Sequence, residues 1–488
     1  MKRVVIIGAG LGGLAAAVLL QKKGFSVTVV EKNEHPGGKM MPVKLGDYEF
    51  DFGPNTMTMP AVFNRVIEEA GERPEDYLEW IKLDHHTNNY FSDGMTFAMT
   101  TDRHEMLMQF AQFDATAEQM YEKYLAEIER LYTISEQEFF YRTFTSWRDY
   151  LDPKLFRALT SVRPLQSMET FHRHYFQNEH IRWAFNRYAT YIGSSPYVSP
   201  ATFSLIGHLE MTDGVYYVKG GNTKIAESFA RIFQKLGGDL RLGTKVLSVD
   251  VQQKRAKTVN LDSGEVLSAD LVVLNGDLLS VYPELVAEEH RPHFSNQKVD
   301  QFEPSISAYV ILAGTKARNQ NLIHHQVYFT DDYQNEFREL FDKRTYPTDP
   351  TIYVCNSSYT DRNRAPGDNL FILVNAPALT AENEQIGENY KHVVYEKLKR
   401  FGIDVQADLV VEKVITPSEI KSRFSAYKGA LYGVSSNRKV DSFLRPSNQS
   451  KDIKNVYFTG GTTHPGGGSP MVTISGMNVA KLIEECAK

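Results

Sequence analysis

A glycine-rich turn near the start of the chain has the residue spacing of a phosphate-binding site. The apolar segment 4–7 runs directly into Gly8, Gly10 and Gly13, which are spaced as Gly-x-Gly-x-x-Gly. The first glycine allows a tight bend, the second lets the backbone approach a pyrophosphate, and the third lets helix and strand pack closely. The helix that follows begins with free N–H groups and a positive dipole end, which also favour phosphate.

An acidic residue follows this turn at the distance that a ribose site requires. The sequence predicts a helix over 14–23 and a strand over 26–30, and Glu31 comes directly after that strand. Its carboxylate can accept hydrogen bonds from both hydroxyls of an adenosine ribose, and its charge disfavours a 2′-phosphate. Strand, turn, helix and acid together predict a dinucleotide site.

A second glycine turn lies near the other end of the chain. An aromatic and apolar strand is predicted over 455–458, followed by a glycine loop over 460–468 and a helix over 472–485. We expect the N–H groups of Met471 and Val472 to face the ligand of this loop, where the helix dipole stabilises negative charge. Glycine turns in the first and last elements indicate one large cofactor held from both chain ends, which favours a flavin over nicotinamide alone.

Length and composition limit the class of protein. A chain of 488 residues is long for one core, so two or three structural units are expected. The net charge of −6 argues against binding to nucleic acid. The two cysteines, Cys355 and Cys486, form no disulfide framework and no CxxC motif, which fits a reducing compartment. No apolar run reaches the roughly 18 residues of a membrane span, and the N-terminal strand leaves no place for a signal peptide.

The middle of the chain contains an aromatic segment and a second predicted domain. Residues 135–210 are rich in aromatic and basic residues at helical spacing, a pattern found both in core helices and in helices that lie in a bilayer interface. Strands are predicted over 305–312 and 369–375, with His324 and His325 between them. Adjacent strand residues point to opposite faces, and no third ligand stands at a zinc-like spacing, so we interpret these histidines as structural and predict no metal site.

Three segments resemble the amine oxidase and phytoene desaturase superfamily of FAD-dependent oxidoreductases. Residues 31–39 resemble its Gly-Gly-Arg/Lys turn after the ribose-binding Glu, and residues 50–54 resemble its Phe-Asp-x-Gly-Pro segment. Residues 460–470 read Gly-x-x-Thr-His-Pro-Gly-Gly-Gly-x-Pro, which is similar to the end of bacterial carotenoid desaturases and their oxidase relatives. The resemblance covers essentially the whole chain.

The resemblance implies an α/β fold with a Rossmann-like FAD-binding domain, an inserted α+β substrate domain and a helical membrane-facing region. Residues 1–95, 212–300 and 413–488 would form the FAD-binding domain. Residues 96–211 would form the helical region that associates with substrate and membrane, and residues 301–412 the sheet of the substrate domain. The protein would then be cytoplasmic and peripherally membrane-associated.

The resemblance also assigns residues to the cofactor. Lys39 would face the ribityl-pyrophosphate, and the backbone of Val246 would hold the adenine. The residues expected at FAD are Gly8, Gly10, Leu11, Gly12, Gly13, Glu31, Lys32, Gly38, Lys39, Gly53, Pro54, Val246, Gly460, Gly461, Pro470, Met471 and Val472.

Members of this family use FAD to oxidise long polyenes taken from the membrane. A hydrocarbon offers no group to an acid or base, so positioning at the flavin and an electron acceptor would carry the chemistry. We assign Arg148 and Asp149 to the substrate passage, with a surface ion pair as the alternative. His464 is assigned to flavin or substrate, with capping of the turn as the alternative.

The main functional expectation is desaturation of a phytoene- or 4,4′-diapophytoene-type carotenoid. Residues 469–472 read Ser-Pro-Met-Val where desaturases often have Val/Ile-Pro-Gly-Val, and Asn-Thr-Lys follows Gly221 where Met or Thr then Gly is usual. These departures resemble the branch that oxidises terminal methyl groups of C30 diapocarotenoids with O₂, which is the alternative. Another amine-oxidase-like flavoprotein is a further possibility, although the covalent-flavin Cys or aromatic pair usual there is not evident. The two glycine turns argue against a non-catalytic isoprenoid carrier.

Overall fold

The computed structural model describes residues 1–145, 149, 151–384 and 388–487. The strands are β1 Arg3–Ile7, β2 Ser26–Val30, β3 Met41–Leu45, β4 Tyr48–Phe52, β5 Trp80–Leu83, β6 His85–Tyr90, β7 Thr96–Thr100, β8 Val215–Val218, β9 Asp239–Arg241, β10 Val246–Gln252, β11 Arg255–Leu261, β12 Val266–Ser268, β13 Leu271–Asn275, β14 Ser307–Thr315, β15 His325–Tyr328, β16 Ile352–Asn356, β17 Asn369–Ala376, β18 Leu409–Ile415 and β19 Val456–Thr459. The α-helices are α1 Leu11–Lys22, α2 Pro60–Glu69, α3 Arg103–Phe113, α4 Ala115–Ser135, α5 Pro153–Ser161, α6 Met168–Tyr175, α7 Glu179–Asn186, α8 Ile206–His208, α9 Lys224–Lys235, α10 Leu278–Leu285, α11 Asn296–Val299, α12 Tyr333–Arg338, α13 Ser357–Thr360, α14 Lys391–Arg400, α15 Pro417–Phe424, α16 Lys439–Phe443 and α17 Ser469–Ala487.

A five-stranded parallel sheet brings the two glycine turns together. Its strand order is β19-β13-β1-β2-β9, so the first and last strands of the chain flank β13. Parallel pairing places Val5 opposite Val272 and Val272 opposite Val456. The carboxyl ends of all three strands therefore meet at one edge, which is where open α/β sheets bind ligands. The predicted Rossmann-like sheet is confirmed.

Glycines allow helix α1 to pack against helix α17. Residues 11–20 of α1 are all buried, because the sheet covers one side of this helix and other helices cover the rest. A Cβ on Gly12 would lie 2.7 Å from the Val472 carbonyl oxygen, and one on Gly476 would collide with the Gly12 carbonyl. The first and last helices thus touch backbone to backbone beside the site.

A seven-stranded sheet forms the second unit, in the order β18-β14-β17-β16-β15-β6-β7. All of β14 is buried, as expected for a strand covered on both faces. The expected boundary at residue 95 is wrong, because β6 and β7 belong to this sheet. Asn88 pairs with Gln326 in parallel, a contact 238 residues apart (326 − 88) that local sequence pattern does not reveal.

Helices α3 to α8 make the predicted helical region, and most of its aromatic residues point inward. Tyr124 packs edge-on against Phe176 and Phe185, whose rings stack with centroids 4.4 Å apart. Within the described ranges, no helix combines the length and the apolar character needed to cross a bilayer.

Candidate functional site

Two adjoining cavities lie at the edge where the glycine turns meet. The first, of about 320 Å³, is lined by both glycine turns, and the second is about 260 Å³. Both are lined by Gly53, Pro54, Tyr432 and residues 467–469. These shared residues form the boundary between the two cavities, which we call the junction.

The first glycine turn is shaped by close backbone approach. Gly8 has φ +101°, and a Cβ there would collide with the Asn275 carbonyl oxygen. A Cβ on Gly10 would lie 3.0 Å from Asn275 Nδ2. Gly8, Gly10, Leu11 and Gly12 line the first cavity. Gly13 does not, because it packs against the Gly8 carbonyl, so its place in the structure is the helix–strand contact that the motif predicts.

Asn275 at the end of β13 joins the two glycine turns. Its Nδ2 donates to the Gly8 carbonyl at 2.9 Å, and its Oδ1 accepts from the Thr459 hydroxyl at 2.9 Å. The side chain thereby connects the ends of β1, β13 and β19. Sequence reasoning missed Asn275, although a polar residue ending a buried parallel strand is a recognisable signal of a ligand-binding edge.

Glu31 lines the first cavity and also organises the loop around it. One carboxylate oxygen accepts from the Ala9 N–H at 2.8 Å, and the other accepts from the backbone and side chain of Asn33 at 2.9 and 2.7 Å. Each carboxylate oxygen has about two acceptor sites, so about one site remains, on the oxygen that Ala9 contacts, for one hydroxyl of a ribose instead of the two expected from the sequence.

Lys39 and Lys32 line the first cavity, and both ammonium groups bind the protein as well. Lys39 Nζ donates to the carbonyls of Ala430 and Leu431 at 3.0 and 2.6 Å, which leaves one of its three N–H groups for a ligand. Burial lowers the pKa of Lys39. Lys32 Nζ donates to Ser425 Oγ at 2.8 Å, and burial also lowers its pKa.

The Gly-Gly-Lys turn and the Phe-Asp-x-Gly-Pro segment form another wall of the first cavity. Gly38 has φ +60°, and a Cβ there would lie 3.3 Å from the Gly10 Cα. Gly53 has φ +115°, and a Cβ there would strike the Lys39 carbonyl. Gly38, Gly53, Pro54 and Val246 all line this cavity, as does the Gly460–Gly461 pair of the last turn.

The start of α17 divides its residues between the cavities. Val472 lines the first cavity, whereas Pro470 and Met471 line the second. The expectation that the Val472 N–H faces the cofactor is wrong, because this N–H donates to the Gly468 carbonyl at 2.9 Å. The helix starts at Ser469, three residues earlier than predicted, and its first turn uses that donor.

Of the three residues assigned to catalysis, His464 and Asp149 lie outside both cavities, and Arg148 is not described. His464 lines neither cavity, because its Nε2 lies 2.7 Å from the Phe139 carbonyl oxygen, and burial lowers its pKa to about 4. The alternative of a turn-stabilising histidine fits this geometry. Asp149 also lines neither cavity and accepts from the Thr145 N–H at 2.7 Å, which holds a local turn. Arg148 lies outside the described residues.

His324 and His325 share one space, contrary to the argument from opposite strand faces. His324 precedes β15 instead of lying within it, and the two rings are 4.5 Å apart. One ring nitrogen of each histidine and the Cys355 Sγ lie within 4.8 Å of one another, and all three residues are buried. His324 Nδ1 is 2.6 Å from Thr360 Oγ1, and His325 Nδ1 is 2.8 Å from the Tyr353 hydroxyl. That no metal is bound here stays a prediction.

The second cavity is mainly apolar but includes polar residues in its lining. Its apolar lining includes Phe140, Ile192, Phe203, Leu205, Ile206 and Leu209. Arg187, Tyr191, Thr351 and Asn375 are among its polar lining residues. None of the described residues that line this cavity is Asp, Glu, His or Lys. The second cavity therefore has a lining suited to an apolar ligand and offers no general base of those types.

The first cavity fits a dinucleotide cofactor that extends beyond its phosphates. Glycines keep the backbone open at both ends, and Glu31 offers an acceptor for a ribose. The fold and cavity define a dinucleotide-binding protein with a second cavity beside the cofactor site. The family profile described as flavin containing amine oxidoreductase matches residues 11–483, and the chain belongs to this family. The cofactor is accordingly FAD.

Relatives of similar length act on carotenoids by name. The chain is 33% identical to a 1-hydroxycarotenoid 3,4-desaturase of a Flavobacterium species, with 99% of each chain covered. It is 32% identical to a 4,4′-diapolycopene oxygenase of a Methylomonas species and 31% identical to a 4,4′-diaponeurosporene oxygenase of Staphylococcus haemolyticus. In both cases 99% of this chain and 98% of the relative are covered. The chain is thus a flavin oxidoreductase with carotenoid desaturases and oxygenases as homologues.

Solved structures share the fold at low sequence identity. A putrescine oxidase matches with a TM-score of 0.64 at 16% identity, covering 100% of this chain and 99% of that one. A cyclohexylamine oxidase of Brevibacterium oxydans matches with a TM-score of 0.61 at 16% identity, covering 100% of both chains. These similarities support the α/β architecture of FAD amine oxidases.

Proposed function

We propose that this protein oxidises the terminal methyl group of a long C30 diapocarotenoid, with O₂ as the oxygen source. The observation that carries the proposal is the second cavity, which adjoins the cofactor cavity and combines a mainly apolar lining with several polar residues. The apolar lining suits a conjugated hydrocarbon chain. The polar lining residues suit a chain end that acquires oxygen. Desaturation of a hydrocarbon does not produce such an oxygenated end.

The overall reaction balances without a further reductant. Conversion of R–CH₃ and O₂ to R–CHO and H₂O removes four electrons from the methyl carbon and adds four to O₂. FAD supplies the redox chemistry when bound. The protein's own contribution is to hold the chain end at the junction of the cavities and to exclude water with its apolar lining.

Arg445 holds the last glycine loop in place at this junction. Its Nη1 donates to the Gly461 carbonyl at 3.1 Å, and its Nη2 donates to the Val434 carbonyl at 3.3 Å and to Ser436 Oγ at 3.2 Å. Burial lowers the pKa of Arg445 to about 10, so it remains a cation at neutral pH. We interpret Arg445 as a positioning residue for the loop that separates cofactor from substrate.

Desaturation of an oxygenated carotenoid is the second candidate. The 1-hydroxycarotenoid 3,4-desaturase among the relatives acts by name on a chain that already carries a hydroxyl group. The polar lining residues of the second cavity would also suit such an end group. Desaturation of phytoene or 4,4′-diapophytoene, the main expectation from the sequence, has less support because those chains carry no oxygen.

Contact with a membrane surface is part of the proposal, because the substrate is a lipid. On α5, Leu155 and Ala158 are buried, whereas Phe156 is 65% exposed next to exposed Lys154 and Arg157. Leu165, just after this helix, is 77% exposed. Exposed apolar side chains beside basic ones suit the interface of an anionic bilayer.

Co-expression separates terminal oxidation from desaturation of a hydrocarbon carotenoid. The chain would be expressed in a host that makes 4,4′-diapolycopene, and in a matched host that makes 15-cis-4,4′-diapophytoene, with pigments analysed by mass spectrometry. Terminal oxidation predicts a diapolycopene product that has gained oxygen and lost two hydrogens per oxidised end. A longer conjugated chain from diapophytoene, without oxygen, would contradict terminal oxidation in favour of desaturation. Unchanged pigments in both hosts would contradict both.

A further inference from the structure

Arg187 contributes a buried guanidinium to the lining of the second cavity. It follows helix α7 and is only 5% exposed, with its guanidinium carbon 5.0 Å from the centre of the Tyr191 ring. Tyr353 also lines this cavity, and its hydroxyl oxygen lies 3.5 Å from that of Thr56. Thr56 belongs to the segment that starts at Gly53 and Pro54. Through this contact, Tyr353 is linked to the segment that forms part of the junction between the two cavities.

Glu210 balances this cation from inside the protein. Its side chain is fully buried and lines neither cavity. Burial raises the pKa of Glu210, and Arg187 opposes that shift. Burial lowers the pKa of Arg187, but Tyr191 and Glu210 raise it by more, so the guanidinium is charged at neutral pH. The acid thus allows a permanent cation to be buried beside a hydrocarbon cavity.

Two guanidinium nitrogens of Arg187 lack an acceptor among the described residues. Arg187 Nε and Nη2 are buried and make no hydrogen bond to any of the residues that the structure describes. Arg445 in the same cavity differs, because its Nη1 and Nη2 donate to backbone carbonyls and to a serine hydroxyl. A buried guanidinium whose hydrogen bonds the protein leaves unsatisfied is unfavourable, and Arg187 lines the second cavity, so an acceptor on a ligand bound there would compensate it.

We propose that Arg187 binds the oxygen atom of an oxygenated end group on the polyene. A guanidinium has donors only, so its ligand group must offer an acceptor: an aldehyde, a hydroxyl or a carboxylate. Such a subsite would retain a chain end after its first oxidation. This inference rests on the proposed function for the identity of the polyene, but it makes a separate claim about binding.

Equilibrium binding tests the subsite without requiring turnover. Purified holoprotein in detergent micelles would be titrated with 4,4′-diapolycopene and with its mono-aldehyde, alcohol and carboxylate, and the flavin absorbance change recorded. Wild type is expected to bind at least one oxygenated form about 10-fold more tightly than the hydrocarbon, the effect of one hydrogen bond from a charged donor. The order of the three oxygenated forms identifies the end group.

Matched variants assign the preference to Arg187. Arg187→Met should remove it, because methionine keeps much of the volume but has no donor. Arg103→Met, at an exposed arginine of α3, should keep it. Arg187→Met/Glu210→Gln removes both buried charges and guards against misfolding of the single variant, and Arg187→Lys should keep part of the preference. Bound FAD and the melting temperature verify folding.

The outcomes separate this inference from the proposed function. No preference in wild type, or a preference that survives in Arg187→Met or in the double variant, would overturn the subsite. Loss of the preference in those variants, together with unchanged pigments in the co-expression hosts, would leave the subsite and overturn terminal oxidation. Oxygenated pigments in the co-expression hosts, without any binding preference, would support terminal oxidation and overturn the subsite.

Discussion

Replacement of Gly13 by alanine tests the packing that positions the first phosphate-binding turn. A Cβ at this position would lie 2.7 Å from Asn275 Nδ2 and 2.9 Å from Asn275 Cγ, and closer still to the Gly8 carbonyl oxygen. Carbon atoms in ordinary contact are about 3.5–4.0 Å apart, so α1 must move away from β1 by at least about 0.6 Å. Overpacking of this kind costs about 1–3 kcal/mol of stability.

The same displacement should weaken FAD binding, although Gly13 does not line the cavity. We expect helix α1 to present its first N–H groups to the phosphates of FAD, and a hydrogen bond to a charged group contributes about 1.5–3 kcal/mol. Loss of one such bond raises the dissociation constant by at least about 10-fold, measured by titrating apoprotein with FAD and following flavin fluorescence.

Gly24→Ala is the matched control for this prediction. Gly24 lies just beyond the other end of α1 at φ +86°, and a Cβ added there would have no atom within 4 Å. Alanine at this position therefore strains the backbone without a collision. It should lower the melting temperature but leave FAD affinity unchanged. A Gly13→Ala protein with wild-type FAD affinity and melting temperature would refute the packing argument.

Three further predictions concern the cofactor, pH and lipid. Glu31→Gln should raise the FAD dissociation constant by about 10-fold because ribose loses a charged acceptor, and it should also lower the melting temperature because the amide nitrogen cannot accept the hydrogen bonds from Ala9 or Asn33; an unchanged constant would contradict the assignment. Burial lowers the pKa of His464 to about 4 from 6.5, so stability is full above pH 6.5 and is lost as pH falls from 6.5 to 4, by about 3 kcal/mol for this group. Urea unfolding should show a smaller loss over that range in His464→Gln, and an equal loss would contradict the buried neutral ring. Phe156→Ser/Leu165→Ser should reduce co-sedimentation with anionic liposomes, whereas Val266→Ser, at an exposed apolar residue of β12, should not; equal losses would place the contact elsewhere.

The parts of the fold that were predictable are those encoded in contiguous sequence. The structure contains the predicted strand β1, its glycine turn and strand β2. These were predictable because only glycine tolerates the tight turn at position 8, and because the acidic residue of a ribose site is expected directly after β2, where Glu31 lies. The helix begins at Leu11 instead of residue 14, because the glycines themselves are its first turn. These features depend only on residues that are neighbours along the chain.

The features that escaped prediction depend on contacts between distant segments. Asn275 meets Gly8 across 267 residues, and no local pattern specifies that meeting. His464 is adjacent to the glycine loop in sequence, but its ring turns toward the Phe139 carbonyl, away from both cavities. Arg187 and Glu210 become partners only because α7 and the segment after α8 fold around one aromatic core. Side-chain direction and long-range register, not residue type, decided these cases.

Oxygen labelling is the most direct test of terminal oxidation. Purified holoprotein would be mixed with 4,4′-diapolycopene in micelles under ¹⁸O₂ in ordinary water, and the extracted pigment analysed by mass spectrometry soon after mixing, before carbonyl exchange with water. The account predicts an aldehyde that carries one ¹⁸O at the oxidised end, with no product in the absence of O₂. A product that has lost hydrogen without gaining oxygen, or one that carries only ¹⁶O at the earliest times, would contradict it.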